Sequence, residues 1–394
     1  MQEMRDEQSP KMKIMVLARS ARPTDIIGGA EKVLSTLSIA LGDKVDFVFV
    51  FPFKNASSKY DFPYKGRYIE LDLRWDEPAP TILHRVEIMF HKLKELRRAI
   101  REENPDVILS NSMTFWHHLI VALKLVRLTT KKVIVRFGTP VFVATTRRGK
   151  LYTLLMRLGM KRVDRVVAAS QGLANELEKD LGVSPTKMTV INNPLSLTEI
   201  EALSQEEIHG SLFDDDLPIV LNVARLIPDQ KNHSLLIGAF QKVQEHIDAN
   251  LVLVGTGECE GQLRQLVHNR NLEKRVHFLG WQHNPFKYMR QADVFVLSSN
   301  YEGFPNVLLE AMACGCPIIS TDCPYGPSEI LDGGKYGVLV PVGDEEGLAN
   351  EIMRVLRNQE LRQTLAQKSK QRANEFNVEV IADQYARVFH QLTT

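Results

Sequence analysis

Apolar residues come in short continuous runs, separated by longer stretches in which they recur every three or four positions. A short apolar run bounded by turn residues reads as a strand buried on both faces, and the 3.6-residue recurrence reads as a helix packed on one side. Lys13–Ala18 (KIMVLA) is the first expected strand. After Gly28-Gly29-Ala30 comes a helix to Leu41, then a strand at Val45–Phe51. Residues 52–80, rich in Pro, Lys, Asp and aromatics, are expected to form an irregular insertion with short strands. A long amphipathic helix, His84–Glu103, ends at Asn104-Pro105. Strands Val107–Leu109 and Val133–Phe137, a helical stretch Leu151–Leu158, strand Val163–Ala169, helix Gln171–Leu181 and strand Met188–Ile191 complete the first half.

After a polar stretch the alternation restarts. Strand Ile219–Val223 is followed by helix His233–His246, strand Asn250–Val254, helix Glu260–Asn269, strand Val276–Leu279, helix Pro285–Gln291 and strand Asp293–Leu297. Then come helix Asn306–Ala313, strand Pro317–Ser320 and, at the end, helix Val378–Gln391. Repeated strand–helix alternation in each half predicts two doubly wound, Rossmann-like α/β domains. The expected division is 11–195, a linker over 196–216, a second domain over 217–375, and 376–394 for the final helix. Doubly wound sheets bind ligands at the carboxyl ends of their strands. Two such domains facing each other are expected to share one cleft.

Composition adds limits. With 394 residues, 44% hydrophobic and 25% charged, the chain reads as globular with enough length for two cores. No run of 18 apolar residues predicts a spanning helix, and the polar start MQEMRDEQSP reads as a disordered leader without a signal core. The net charge of +1 hides an asymmetry: residues 1–195 carry 32 Lys+Arg against 21 Asp+Glu, the remainder 17 against 27. A basic half suits a membrane surface or an anionic acceptor, and equally well suits ordinary solvation. Cys259, Cys314, Cys316 and Cys323 have no zinc spacing. They read as buried thiols in a reducing cytoplasm.

The densest candidate chemistry is Ser298–Gly315, SSNYEGFPNVLLEAMACG. It sets Glu302 and Glu310 eight residues apart around Gly303-Phe304-Pro305-Asn306. Glu302 is expected on a strand-to-helix loop and Glu310 inside the helix, which Pro305 suits as a start. The free N–H groups of a helix start form an anion site. Two carboxylates flanking such a site have the geometry to hold both polyhydroxylated ends of a nucleotide sugar. Arg225 and Lys231 follow strand Ile219–Val223 and are cations of the kind that stabilise a leaving phosphate. Gly255 and Gly257 follow the next strand. Gly-x-Gly-x-x-Gly fails because position 260 is Glu, so they mark a tight turn. Asp214-Asp215-Asp216 contains an Asp-x-Asp, but it precedes a strand and reads as a solvated turn.

The Glu-seven-residues-Glu pattern resembles the signature of retaining glycosyltransferases of family 4, which have the GT-B fold. Asn222-Val-Ala-Arg225, Lys231-Asn-His, Leu253-Val-Gly-Thr-Gly-Glu258, Val276-His-Phe-Leu-Gly280 and Gly28-Gly29-Ala30-Glu31 resemble further family motifs in the family's order, across about residues 13–375. The resemblance implies that Arg225 and Lys231 contact the donor diphosphate, Glu302 the donor sugar and Glu310 the ribose. It places backbone N–H groups of Phe304, Asn306 and Val307, in the loop Gly303-Phe304-Pro305, at sugar and phosphate. Gly255, Gly257 and Gln282 belong to the donor site, and Gly28, Gly29, Ala30 and Glu31 form the phosphate and acceptor loop. It also implies a final helix that crosses back to the first domain, and chemistry without a metal or other cofactor.

The chain departs from the family where many members have a His in a Thr-x-His segment: here Val135-Arg136-Phe137-Gly138-Thr139 has none. Ser110, Asn111, His117 and His118 lie after the preceding strand, either lining the cleft or, for the histidines, within a helix. The expected activity is transfer of a hexose or N-acetylhexosamine from a nucleoside-diphosphate sugar, UDP favoured, to a glycan acceptor that is plausibly polyprenyl-linked. The basic run Arg147–Arg165 and the helix His84–Arg101 could rest on anionic lipid, or be solvated faces. No nucleic-acid partner is expected, and the place is cytoplasmic or peripheral to the membrane. A GT-B sugar-nucleotide epimerase and a non-catalytic nucleotide or sugar binder are the alternatives.

Overall fold

The computed structural model describes residues 11–18, 29–52, 63–71, 73, 81–111, 116–125, 127–141, 153–208 and 217–394. The chain leader, Gly28, Arg147–Lys150 and Asp214–Asp216 lie outside the described residues.

The chain divides into two units. One holds residues up to Ala169, Leu173–Ile191 and Ile381–Thr394; the other holds Ser170–Gly172 and Asn192–Val380. The first unit carries strands β1 (Met12–Leu17), β2 (Val45–Phe51), β3 (Arg67–Glu70), β4 (Val107–Ser110), β5 (Lys132–Phe137), β6 (Arg165–Ala168) and β7 (Met188–Val190). They form one sheet in the order β3-β2-β1-β4-β5-β6-β7, with every pair parallel. The order reverses between β1 and β4. Its helices are α1 (Gly29–Leu41), α2 (Ile82–Glu103), α3 (Trp116–Leu125), α4 (residues 153–160) and α5 (Gln171–Leu181). Thr81 caps α2 by accepting from the His84 amide, and Asn104 ends it in the left-handed conformation.

The second unit begins with α6 (Leu197–Ser204), a helix inside the stretch expected to be a linker; its apolar Ile200 is buried. It continues with β8 (Ile219–Val223), α7 (His233–Gln244), β9 (Asn250–Val254), α8 (Glu260–Asn269), β10 (Val276–Gly280), α9 (Phe286–Gln291), β11 (Val294–Leu297), α10 (Asn306–Ala313), β12 (Ile318–Thr321), α11 (Pro327–Ile330), β13 (Val338–Val340), α12 (Glu345–Arg357) and α13 (Gln359–Ala373). The sheet order is β10-β9-β8-β11-β12-β13, again all parallel, with its reversal between β8 and β11.

The last helix, α14 (Val378–Thr393), returns to the first unit. Ile381, Ala382, Tyr385, Val388 and Phe389 pack in the core that holds Val33, Leu34, Leu37 and Leu41 of α1. Its apolar spacing of three and four residues gives one face to that core. Leu195 is bridged to Asn377 just before the helix begins. The two doubly wound parallel sheets and the returning helix are the architecture the sequence pattern and the family resemblance implied.

Candidate functional site

In a doubly wound sheet the crevice lies beyond the carboxyl ends of the two strands where the order reverses. In the second unit those strands are β8 and β11, and the loops leaving them carry Arg225, Lys231 and Glu302. The loops are cross-linked. Ser298 Oγ donates to the Lys231 carbonyl at 2.9 Å, the Asn300 amide N–H to the Gln230 carbonyl at 2.8 Å, and Asn232 Nδ2 to Asn300 Oδ1 at 3.0 Å. Asn232 also caps α7 by accepting from Leu235 N–H.

This frame brings Lys231 Nζ to 2.5 Å from Glu302 Oε1. The Lys231 and Glu302 side chains are 12% and 7% exposed, so the pair is largely out of water. Ser299 Oγ donates to the same carboxylate oxygen at 2.6 Å, and Thr321 Oγ1 donates to the Ser299 carbonyl at 2.5 Å. The Glu302 amide donates to the Pro324 carbonyl at 2.7 Å. Buried Cys323 lies nearby: burial first, then the Glu302 carboxylate, pushes its thiol up to about 12. The other three cysteines are also buried and free. Arg225 leaves the same loop as Lys231, but it is exposed, and no described residue hydrogen-bonds or ion-pairs with its guanidinium.

Glu310 sits in α10, buried, one turn into the helix. Pro305 occupies the N-cap without a side-chain cap, and of the first turn of α10 the Leu308 N–H donates to the Pro305 carbonyl at 3.1 Å. Phe304 is buried edge-on to Phe376, ring centroids 5.7 Å apart, which anchors the turn. Gly303 and Pro305 are buried with it, and Asn306 and Val307 are partly exposed. Asn193 Nδ2 donates to the Phe304 carbonyl at 3.0 Å and to Asn306 Oδ1 at 2.5 Å.

Gly255 and Gly257 bring the β9 loop against the β8 loop. A Cβ on Gly255 would stand 2.0 Å from the Ala224 carbonyl, and one on Gly257 2.1 Å from that of Leu226. Gly255 also has φ +136, which side-chain-bearing residues rarely adopt. Gln282 is occupied internally: Nε2 donates to the Leu279 carbonyl at 2.8 Å and Oε1 accepts from Tyr288 Oη at 3.0 Å. Its neighbour Trp281 is half exposed.

Beside the crevice, His233 at the start of α7 is buried. Burial, then Lys231, pulls its imidazole down to about 4. Its Nε2 has no hydrogen-bond partner among the described residues.

In the first unit Gly29 and Ala30 open α1, and Glu31 is buried in its first turn. Ser110 ends β4 and Asn111 follows it. His117 is a buried helix residue: Ser110 Oγ donates to Nδ1 at 2.8 Å and Nε2 donates to the Arg136 carbonyl at 3.1 Å. Those roles make it the neutral Nε2–H tautomer, and burial holds its imidazole at about 3. His118 is partly exposed. Ser299, Thr321 and Asn193 are site residues that motif reading passed over. Each acts by a bond to backbone or to another site side chain, and such bonds have no fixed spacing in sequence.

Two family models match the chain in order: "Glycosyltransferase Family 4" over residues 27–199 and "Glycosyl transferases group 1" over 204–372. The chain is 28% identical over 358 residues to the Campylobacter jejuni N-acetylgalactosamine-N,N'-diacetylbacillosaminyl-diphospho-undecaprenol 4-alpha-N-acetylgalactosaminyltransferase, covering 90% of this chain and 94% of that protein. It is 32% identical over 243 residues to the N-acetyl-alpha-D-glucosaminyl L-malate synthase of Bacillus anthracis, covering 60% of this chain and 62% of that one. The solved structure of Anabaena HepE in complex with UDP matches its fold with a TM-score of 0.74 at 21% identity, covering 96% of this chain and 100% of that one. With both halves matched in order, and with the two parallel sheets the fold requires, the chain belongs to the glycosyltransferases of family 4 (group 1), a retaining family of GT-B fold.

Proposed function

We propose that the protein moves an N-acetylhexosamine or hexose from a UDP-sugar to a polyprenyl-diphosphate-linked glycan, with the crevice between β8 and β11 as the donor site. The observation that carries this reading is the sequestered Lys231–Glu302 pair at the strand-order reversal, with exposed Arg225 on the same loop. In this reading the sugar's anomeric C–O bond breaks and negative charge gathers on the departing diphosphate. Arg225 and Lys231 stabilise that charge, and a single donor of this kind contributes about 3–4 kcal/mol. Glu302, held by Lys231 and Ser299, faces the sugar near its reacting carbon. Glu310 accepts from the ribose hydroxyls, and backbone N–H groups at the start of α10 meet sugar and phosphate. The acceptor oxygen bonds to the anomeric carbon on the face the diphosphate leaves, and the diphosphate takes the acceptor proton.

An N-acetylhexosamine is supported by the names of the Campylobacter and Bacillus relatives, and a lipid-linked acceptor by that of the Campylobacter one. A bilayer contact is supported by α4, where Leu154, Leu155 and Leu158 are exposed beside exposed Arg157, Lys161 and Arg162. Arg157 and Arg165 spend hydrogen bonds on the carbonyls of Asp180 and Thr186, which leaves Lys161 and Arg162 as the more available charges of the described run. No helix among the described residues is long and apolar enough to cross a membrane.

The test is release of nucleoside diphosphate from UDP-, GDP- and ADP-sugars, with and without a polyprenyl-diphosphate-linked N-acetylhexosamine. The expected result is acceptor-dependent release from one UDP-sugar, with the new linkage in the donor's anomeric configuration. Acceptor-independent conversion of the sugar, or release from a GDP- or ADP-sugar alone, contradicts it.

A further inference from the structure

The first unit has its own strand-order reversal, between β1 and β4, and a connected set of buried polar groups converges on it. Arg136, at the end of β5, is 2% exposed. A permanently charged guanidinium held this deep must have its donors satisfied. Nε donates to Tyr385 Oη at 3.0 Å and Nη1 donates to Asn111 Oδ1 at 3.0 Å. Gly138 leaves room for the group, since a Cβ there would stand 3.0 Å from Nη1. The backbone of Arg136 is fixed from α3 by His117.

Asn111 carries the arrangement onward. Its carbonyl oxygen is taken by Arg136, which fixes the amide's orientation, and Nδ2 donates to the Ala30 carbonyl at 2.9 Å. Asn111 follows β4 and Ala30 opens the helix after β1, so this bond spans the reversal where doubly wound sheets receive ligands. The segment Val135–Thr139, which lacks the family's His, thus supplies a buried cation that is linked to the start of α1 through Asn111.

We propose that Arg136 and Asn111 are positioning residues: through the Asn111 amide they hold the first turn of α1, Gly29-Ala30-Glu31, in the orientation that receives the acceptor. The acceptor role of this turn rests on the proposed function.

Asn111→Asp separates positioning from mere support. The carboxylate still accepts from Arg136, so the buried cation keeps its partner, but nothing is left to donate to the Ala30 carbonyl. In the full chain, positioning predicts about tenfold faster amide hydrogen exchange over residues 31–35, and about a tenfold higher KM for the polyprenyl-diphosphate-linked N-acetylhexosamine. UDP affinity stays unchanged and kcat moves less than about threefold. Tyr385→Phe removes an acceptor on the far side of the guanidinium, and should lower the melting temperature while leaving exchange at the α1 start and acceptor KM within about twofold. Unchanged exchange in Asn111→Asp overturns the positioning role, as does an equal rise in Tyr385→Phe, which would mean general loosening. Faster exchange with acceptor KM unmoved overturns the link to acceptor. Absence of transfer by the unsubstituted enzyme contradicts the proposed function instead, and the exchange comparison still reports on the α1 turn.

Discussion

The two units use the same topology and fill their strand-order reversals with opposite chemistry. Beyond β8 and β11 stands a charged pair, Lys231–Glu302, with exposed Arg225 on the adjoining chain. The cation linked to the β1–β4 reversal is Arg136, at the end of β5. It is buried, tied to Tyr385 and Asn111, and flanked by the neutral imidazole of His117. Under the proposed function one reversal keeps charge where a diphosphate would meet it, whereas the other commits its charge to Asn111 and Tyr385. Topology fixes where a crevice forms. What it can do depends on whether its ionisable groups are committed to the protein.

The largest effect should come from breaking the pair in the second unit. Lys231→Ala removes a cation from the proposed donor site and leaves Glu302 buried without its counter-charge. Transfer should fall roughly 10²–10³-fold, and stability by about 3 kcal/mol. Pairing it with Glu302→Gln should restore most of the stability, read by denaturant unfolding, and none of the activity. Full recovery of activity in the double variant would break the contrast between the two crevices.

The next effect is shared by both units. His233 and His117 stay neutral in the folded chain down to about 4 and about 3 respectively. In the unfolded chain both protonate near the ordinary value of 6.5. As pH falls below that value the unfolded state binds protons first, so stability drops from pH 6.5 down to about 4 for His233 and about 3 for His117. The His233 contribution alone is roughly 3 kcal/mol by pH 4. Urea unfolding at pH 7, 5.5 and 4.5 measures it, and a flat profile would mean the imidazoles accept protons in place.

Gly255→Ala tests how closely the β9 loop must approach β8. Its positive φ should cost roughly 1–3 kcal/mol before the contact with the Ala224 carbonyl is counted. Thermal melting reads this directly. Leu158→Glu on α4 should have the smallest effect: weaker flotation with anionic vesicles, and unchanged transfer to a detergent-solubilised acceptor.

Much of the fold was legible because strands buried on both faces leave continuous apolar runs such as Asp293–Leu297 and Val45–Phe51. The helix Leu197–Ser204 was missed because its polar surroundings outweighed Leu197, Ile200 and Leu203, which recur at helical spacing. In the site, Glu302 and Glu310 were visible by their spacing around Pro305, and the structure puts them on the loop and in the helix as expected. The contact between Lys231 and Glu302 was not visible. It depends on β8 and β11 being neighbours across the reversal, a property of strand order. Arg136 gave no signal either, since nothing local distinguishes a buried guanidinium from a surface one. Its partners reveal it, among them Asn111 and Tyr385, the latter 249 positions away in sequence.

The most direct measurement is steady-state transfer by Arg225→Ala. Arg225 is exposed and no described residue bonds its guanidinium, so its loss should leave the melting temperature unchanged and isolate the chemistry. The account predicts kcat lower by about 10²-fold, with the acceptor KM within about threefold of the unsubstituted enzyme. A variant that keeps its kcat, or whose deficit lies only in acceptor KM, would contradict the assignment of the diphosphate to the crevice between β8 and β11.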